Sequence, residues 1–389
     1  MKIAVVGAGA SGLFFAANCK NDITVFDSNK QPGKKLLLTG GGRCNFTNNC
    51  DKNQFFEHLP RGDRFARSAL SLFSQNDVVD WFATRGVESK CEDGRFFPKS
   101  DRAETIVNCL VEACKNNGAK FVLGKPVQKI EKSASGFLVD GRPFDVVVLA
   151  TGGKFFDQTG STGKGFDFSK RLGLETFGPY AALCPVVANV PANLQGVSVF
   201  AGVTLQSAGK TVCKTQGNVL FAHFGLTGPA ILNATAWVGD NKIDWIRLSF
   251  VSKTQEEICQ FVELQKSKHP KQNLKTTLAQ LVPAKLGEFV LENAGVQNCK
   301  LCDLKKQDLI KICSRLLNTE FDAKTKDGQS MVTCGGVCTK EINPKTMQSK
   351  IENLYVIGEL LDVHGETGGF NLQIAWSTAY AAAKALERK

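Results

Sequence analysis

Residues 1–27 read MKIAVVGAGASGLFFAANCKNDITVFD, and their reading decides the fold. Lys2–Val6 is a short run rich in β-branched residues, the texture of a strand buried on both faces. Gly7, Gly9 and Gly12 follow with G-x-G-x-x-G spacing, and residues 13–20 continue as a helix. Gly7 permits a tight turn, Gly9 lets the backbone approach a pyrophosphate, and Gly12 lets helix and strand pack closely. The helix N-terminus then points at the phosphates. A second strand over residues 23–26 ends in Asp27, twenty residues after Gly7. A carboxylate there accepts hydrogen bonds from ribose hydroxyls and repels a 2′-phosphate, which suits FAD or NAD better than NADP. The ordered series of strand, turn, helix, strand and acid separates this stretch from a stray Gly-rich loop. Glycines in the middle of the apolar run argue against a secretory signal.

A chain of 389 residues has room for two or three domains with a large core. No apolar run approaches the roughly 20 residues that span a bilayer, so no membrane embedding is expected. The net charge of +11 raises nucleic acid as a partner. Yet Lys and Arg are spread along the chain with no basic tail and no aromatic residues interleaved among them, so a basic soluble enzyme with no nucleic-acid partner is the expectation. Fourteen cysteines without an export signal suggest a reducing cytoplasm and free thiols. Cys299, Cys302, Cys334 and Cys338 are poorly spaced for a zinc site.

Beyond Asp27, residues 32–49 (PGKKLLLTGGGRCNFTNN) are too rich in Gly and Asn for a helix or a central strand. Amides freed by the triple glycine, with Arg43, make a second cradle for a dinucleotide. Residues 71–85 and 102–116 have helical periodicity, residues 92–98 (EDGRFFP) read as a hairpin, and residues 120–130 and 136–139 read as strands. Residues 144–150 form a buried strand running into Thr151-Gly152-Gly153. From about residue 186 the texture changes to short alternating strands (197–206, 210–214, 219–222 and 243–251), which suggests an antiparallel barrel or sandwich. Residues 254–319 are mainly helical and Lys-rich. Residues 353–358 (NLYVIG) return to the first texture, and Gly368-Gly369-Phe370-Asn371-Leu372-Gln373 opens an apolar helix to Leu386. Such a helix aims its dipole at an electron-rich ring.

The chain resembles the BaiN-like family of bacterial flavoproteins, also described as aminoacetone-oxidase-family or NAD(P)/FAD-dependent oxidoreductases. The resemblance spans nearly the whole chain and rests on VVGAGASGLFFA, GKKLLLTGGGRCNFTN, EDGRFFP, VVLATGGKFFDQTGSTGKGF, HFGLTGPAIL and LYVIGELLDVHGETGGFNLQIAWSTA. It implies an α/β fold: a Rossmann-like FAD-binding domain of the glutathione-reductase type, split by an inserted β-barrel and a small helical subdomain. The boundaries it suggests are 1–186 and 333–389 for the FAD domain, 187–252 (completed by 320–332) for the barrel, and 253–319 for the helices. By the same resemblance Gly7, Gly9, Ala10, Ser11 and Gly12 hold the pyrophosphate, and Asp27 the ribose. Lys35, Gly42, Arg43, Cys44 and Asn45 line the ribityl chain and flavin, and Val127 lies near the adenine. Ala150, Thr151 and Gly152 follow the phosphates, and Gly358, Glu359 and Asp362 meet the ribityl–phosphate portion. Gly369, Phe370, Asn371 and Leu372 turn amides toward the flavin, where negative charge grows on reduction.

The implied activity is hydride transfer through FAD, with NAD(P)H as a transient donor, to a small organic acceptor such as an unsaturated carbonyl compound. Proton donors are sought in His364 and Glu366, with Cys44 and Arg43 opposite. The alternatives are an amine oxidase using oxygen, a disulfide reductase using Cys44 and Cys50, and a flavin-bound RNA-binding or sensor protein. A cytoplasmic location is expected, and the oligomeric state is left open.

Overall fold

The computed structural model describes residues 1–387; the last two residues of the expected 333–389 segment lie outside the described residues. The chain forms two compact units, one from residues 1–181 and 331–387 and the other from Ala182–Ser330.

The first unit is built on a parallel sheet in the order Leu354–Val356, Val146–Leu149, Lys2–Val6, Asp22–Asp27 and Lys120–Leu123. Its central strands are apolar on both faces, contacted both by helix Ala10–Asn18 and by the antiparallel strands Gly136–Val139 and Arg142–Phe144. Ile3, Val5, Val147 and Val148 are each wholly buried. The strand at the C-terminal end of the sequence thus enters the sheet that the first residues begin, and the FAD-type domain is assembled from both ends of the chain.

Helix Ala10–Asn18 begins earlier than residues 13–20 suggested, with Gly9 at its N-cap. It packs on the last helix, Phe370–Glu387. Phe14 anchors the contact, its ring lying 4.7–5.3 Å from those of Phe73, Trp81 and Trp376. Aromatic pairs of this kind add about 0.5–1.5 kcal/mol each beyond their area. The periodic stretch 71–85 is two helices, Asp63–Leu72 and Gln75–Ala83. The chain is extended at Phe73, and Ser74 starts the second helix through a capping box with Asp77. The expected strand 120–130 is also interrupted. It leaves the sheet at Gly124, where φ is +72°, and resumes at Ile130–Ser133 in a three-stranded antiparallel sheet with Gly136–Val139 and Arg142–Phe144. The EDGRFFP hairpin is present as Ser89–Glu92 and Arg95–Pro98.

The second unit holds a seven-stranded antiparallel sheet in the order Thr319–Phe321, Ile243–Ser249, Ser198–Ser207, Lys210–Ala222, Gly225–Thr227, Val186–Ala188 and Ala323–Thr325. The two stretches expected at 210–214 and 219–222 are one long strand, Lys210–Ala222. The strands at the two edges of the sheet are joined by the single residue Asp322, so the sheet must coil round on itself. Helices Gln255–Lys268, Leu274–Leu278, Ala284–Ala294 and Lys306–Leu317 share one hydrophobic core with it. Ile246 and Leu248 of the sheet belong to the same cluster as Val290 and Ile312 of the helices. Sheet and helices are therefore a single unit, rather than a barrel and a separate helical body.

Candidate cofactor and active site

The glycines of the first turn divide by what surrounds them. A Cβ on Gly7, whose φ is +115°, would lie 2.3 Å from the Ala150 carbonyl oxygen, and one on Gly12 would lie 1.9 Å from the Gly7 carbonyl oxygen. These two are required by packing. A Cβ on Gly9 would meet nothing within 4 Å. Gly9 therefore borders open space at the head of helix Ala10–Asn18, where the first-turn N–H groups have no carbonyl partner inside the helix. Ala10 and Ser11 lie in that first turn.

Asp27 sits beside this turn. One carboxylate oxygen accepts the Ala8 N–H at 2.7 Å, and the other accepts from the Asn29 backbone at 2.7 Å and its amide at 3.0 Å. The carboxylate is thus fixed at the end of its strand, half-buried, with acceptor capacity remaining. Val127 is buried at the turn that leaves the same sheet edge.

The stretch 32–49 folds back into the same unit. Gly40, Gly41, Gly42 and Cys44 all have positive φ, and open space lies beside Gly41. Asn45 follows, half-buried, its backbone nitrogen 2.9 Å from where a Cβ on Gly40 would stand. Two buried bonds then pin the segment to the last helix: Thr47 Oγ1 donates to Gln373 Oε1 at 2.6 Å, and Trp376 Nε1 donates to the Phe46 carbonyl at 2.8 Å. A Cβ on Gly369 would lie 2.6 Å from the Thr47 carbonyl carbon, so the segment and the helix N-terminus are in direct backbone contact. Asn48 accepts from Gln75 and from the Cys50 thiol, and its own Nδ2 is buried without a partner among the described residues.

Around the C-terminal turn the structure brings together pairs far apart in sequence. Lys35 Nζ lies 2.6 Å from Glu359 Oε2, while Glu359 Oε1 accepts the Thr333 N–H. A Cβ on Gly358 would lie 2.4 Å from Ser11 Oγ, which places this turn against the first helix. Thr151 and Gly152, following the buried Ala150, approach from the adjacent strand, with Glu359 3.8 Å from where a Gly152 Cβ would be. Arg61 Nε donates to Asp362 Oδ1 at 2.5 Å and its guanidinium covers the Phe177 ring at 3.8 Å. Asp362 raises the Arg61 guanidinium above its ordinary value, chiefly through that bond.

His364 is almost wholly buried, and its backbone is bridged to Arg61. Glu366 Oε2 meets His58 Nδ1 at 2.8 Å, and the hydrogen bond raises the His58 imidazole above its ordinary value against the opposing effect of burial. The His58 ring stacks 4.5 Å from Phe370. Asn371 fixes the turn by accepting the Gly365 N–H and donating to the Gly365 and Glu366 carbonyls. Leu372 is half-buried on the same helix turn. His58 and Arg61 were not singled out in the sequence, because FFEHLPRG carries no motif and their partners lie 308 and 301 residues away.

Two expected roles meet physical objections. Cys44 is fully buried and its thiol is pushed up to about 12 by that burial. It remains a thiol at neutral pH and is a poor proton donor or nucleophile. Arg43 is engaged by Glu92 and Asp101 at the surface, at 2.7 and 2.5 Å, and covers Phe97. Its charge is already paired.

A dinucleotide-binding Rossmann unit with this double cradle defines an oxidoreductase of the flavoprotein class. The chain belongs to the HI0933-like protein Rossmann domain family, which it matches over residues 1–385. It is an FAD-dependent oxidoreductase. It is 33% identical to the ribosomal RNA dihydrouridine synthase of Escherichia coli over 98% of this chain and 97% of that one. Identity to the Haemophilus influenzae protein of the same name is also 33%, over 99% and 98%. It is 31% identical to the 3-dehydro-bile acid delta(4,6)-reductase of Clostridium scindens, over 99% and 98%. Among solved structures, 3-ketosteroid delta1-dehydrogenase from Sterolibacterium denitrificans shares the fold with a TM-score of 0.53, 13% identity and nearly full coverage of both chains.

The residues present fit FAD. The open space beside Gly9, the unpartnered buried amide of Asn48 and the fixed carboxylate of Asp27 are a donor and acceptor set suited to a flavin dinucleotide. The relatives correct one expectation. Two full-length relatives are named for ribosomal RNA, which overturns the expectation of no nucleic-acid partner. The even spread of Lys and Arg concealed this, because no stacking platform marks an RNA surface. No helix of the described residues is long and apolar enough to cross a membrane.

Proposed function

We propose that this chain reduces a carbon–carbon double bond conjugated to a carbonyl, and that its substrate is a uridine of ribosomal RNA, converted to dihydrouridine. The observation that carries this reading is the end-to-end match to two ribosomal RNA dihydrouridine synthases. The match to a bile acid reductase supports the same chemistry, since both names describe saturation of a conjugated double bond. In uracil the bond between C5 and C6 is conjugated to the C4 carbonyl. Its reduction adds a hydride to the carbon remote from the carbonyl and a proton to the carbon beside it.

FAD, when bound, supplies the hydride chemistry, and NAD(P)H is the proposed source of electrons. The chain's own residues do the rest. The first-turn amides from Ala10 to Gly12 would hold the pyrophosphate, with Asp27 on the ribose and Asn48 donating to a flavin acceptor. Lys35 and Glu359 would hold the ribityl–phosphate side, and the amides from Gly369 to Leu372 would face the ring. His58 is held by Glu366, whose hydrogen bond raises the imidazole above its ordinary value, and this pair together with His364 is the proposed proton store.

The test is nucleoside mass analysis of ribosomal RNA from cells lacking the gene and from the same cells complemented. The reading expects a dihydrouridine that disappears with the gene and returns with it. Identical nucleoside profiles, with steroid-like enones reduced by the purified protein, would favour a small unsaturated carbonyl compound as the acceptor.

A further inference from the structure

The second unit carries a basic surface that the flavin site does not use. Between helices Gln255–Lys268 and Leu274–Leu278 the chain turns through residues 269–272 and then meets the segment before helix Lys306–Leu317 in one antiparallel β-bridge. The Leu301 N–H donates to the Gln272 carbonyl at 2.9 Å, the Leu274 N–H donates to the Cys299 carbonyl at 2.9 Å, and Asn273 stands opposite Lys300. Leu274 and Leu301 are wholly buried, whereas Lys271, Asn273, Lys275 and Lys300 are at least partly exposed.

Three exposed lysines therefore flank this short bridged ribbon: Lys271 in the turn before it, Lys300 on the bridge, and Lys275 in the first turn of helix Leu274–Leu278. Like charges gathered around one bridge repel one another. Neutralisation is slight: Lys275 reaches Glu288 only at 3.9 Å, and among the described residues Lys271 and Lys300 form no ion pair. One turn further on, exposed Lys305 and Lys306 occupy the N-cap and first position of helix Lys306–Leu317. Cations there oppose the helix dipole. Asp303 and Asp308 are the carboxylates in this stretch, and Asp308 is engaged by Lys311 at 3.0 Å. A fold selected for stability alone would not gather lysines in both places.

We propose that this ribbon docks the sugar–phosphate backbone of RNA. The inference rests on the ribosomal RNA reading above and adds where the nucleic acid is held. Residues 269–275 and 299–306 contain no Phe, Tyr or Trp, so the surface grips phosphates rather than stacking on bases, and its contribution is largely independent of sequence.

The test uses the full FAD-loaded protein and purified, protein-free ribosomal RNA in a filter-binding series across salt concentrations. The triple variant Lys271→Gln, Lys275→Gln, Lys300→Gln should retain its flavin and thermal midpoint. Its slope of log affinity against log salt should fall by about 2–3, as expected for the loss of three phosphate contacts. A control triple, Lys115→Gln, Lys132→Gln, Lys170→Gln, removes the same charge from exposed positions of the first unit and should leave the slope nearly unchanged. Equal losses in the two variants would overturn the docking role in favour of net charge. An unchanged slope in the ribbon variant, with the wild type still reducing ribosomal RNA, would overturn the ribbon and leave the substrate reading intact. A wild type that neither binds nor reduces RNA would remove both. Tight binding of the ribbon to an acidic protein with no affinity for RNA would also overturn the proposal.

Discussion

Lys35 Nζ and Glu359 Oε2 lie 2.6 Å apart although 324 residues separate them in the chain. Each side chain is largely shielded, at 26% and 19% exposure, and the Thr333 N–H holds the other Glu359 oxygen. The pair clamps the turn after the last parallel strand to the Gly-rich segment that follows the second one. Glu359→Gln keeps the shape and removes the charge, which leaves Lys35 partly shielded without its partner. A loss on the order of 1 kcal/mol is expected by urea denaturation, together with weaker flavin retention on gel filtration. Unchanged flavin content would show that the clamp serves the fold alone.

The first-turn glycines make opposite predictions. Gly12→Ala drives a methyl group into the Gly7 carbonyl, a backbone atom with nowhere to move, and should cost about 3 kcal/mol. Gly9→Ala meets no protein atom and has an ordinary φ of −84°, so the apoprotein should fold at wild-type stability. It should nevertheless lose most of its flavin, because the new methyl group occupies space reserved for the pyrophosphate. Absorbance of the purified variants and calorimetry of their apo forms separate the two effects.

His58 supplies a pH test. Its proton is held more tightly in the folded protein than at its ordinary value of 6.5, through the bond to Glu366. That linkage adds stability which is fully present below 6.5 and fades as pH rises through the higher folded value. The stability difference between wild type and His58→Gln should therefore shrink as pH rises above 6.5. Denaturant titrations at several pH values measure it. A difference that stays constant or grows would contradict the assignment.

Cys44, buried and with its thiol pushed up to about 12, should resist alkylation in the native protein at neutral pH. Exposed Cys91 and Cys302 should label first. Peptide mass mapping after brief iodoacetamide treatment reads this directly. Rapid labelling of Cys44 would revive a thiol-based mechanism.

What the sequence disclosed follows from the range of the interactions. Gly7, Gly9, Gly12 and Asp27 form a local pattern, so their turn was legible, as were the EDGRFFP hairpin and the helix opened by Gly369. The break between two helices at Phe73 and Ser74 was hidden by a periodicity that runs on through it. The strand ending at Gly124 was obscured in the same way, because the chain resumes as a strand after a short excursion. His58 and Arg61 acquire meaning only from Glu366 and Asp362, which the fold delivers from the far end of the chain. The lysine ribbon was diluted by a basic composition that is nearly uniform along the sequence, and the bridge between Asn273 and Lys300 is what brings its residues together.

The most direct test of the account is anaerobic. The FAD-loaded protein is reduced with NAD(P)H, freed of excess donor and mixed with ribosomal RNA from cells lacking the gene. The RNA should reoxidise the flavin, with a uridine gaining two hydrogen atoms for each flavin reoxidised. Flavin that stays reduced in the presence of RNA, and is reoxidised by a small enone instead, would contradict it.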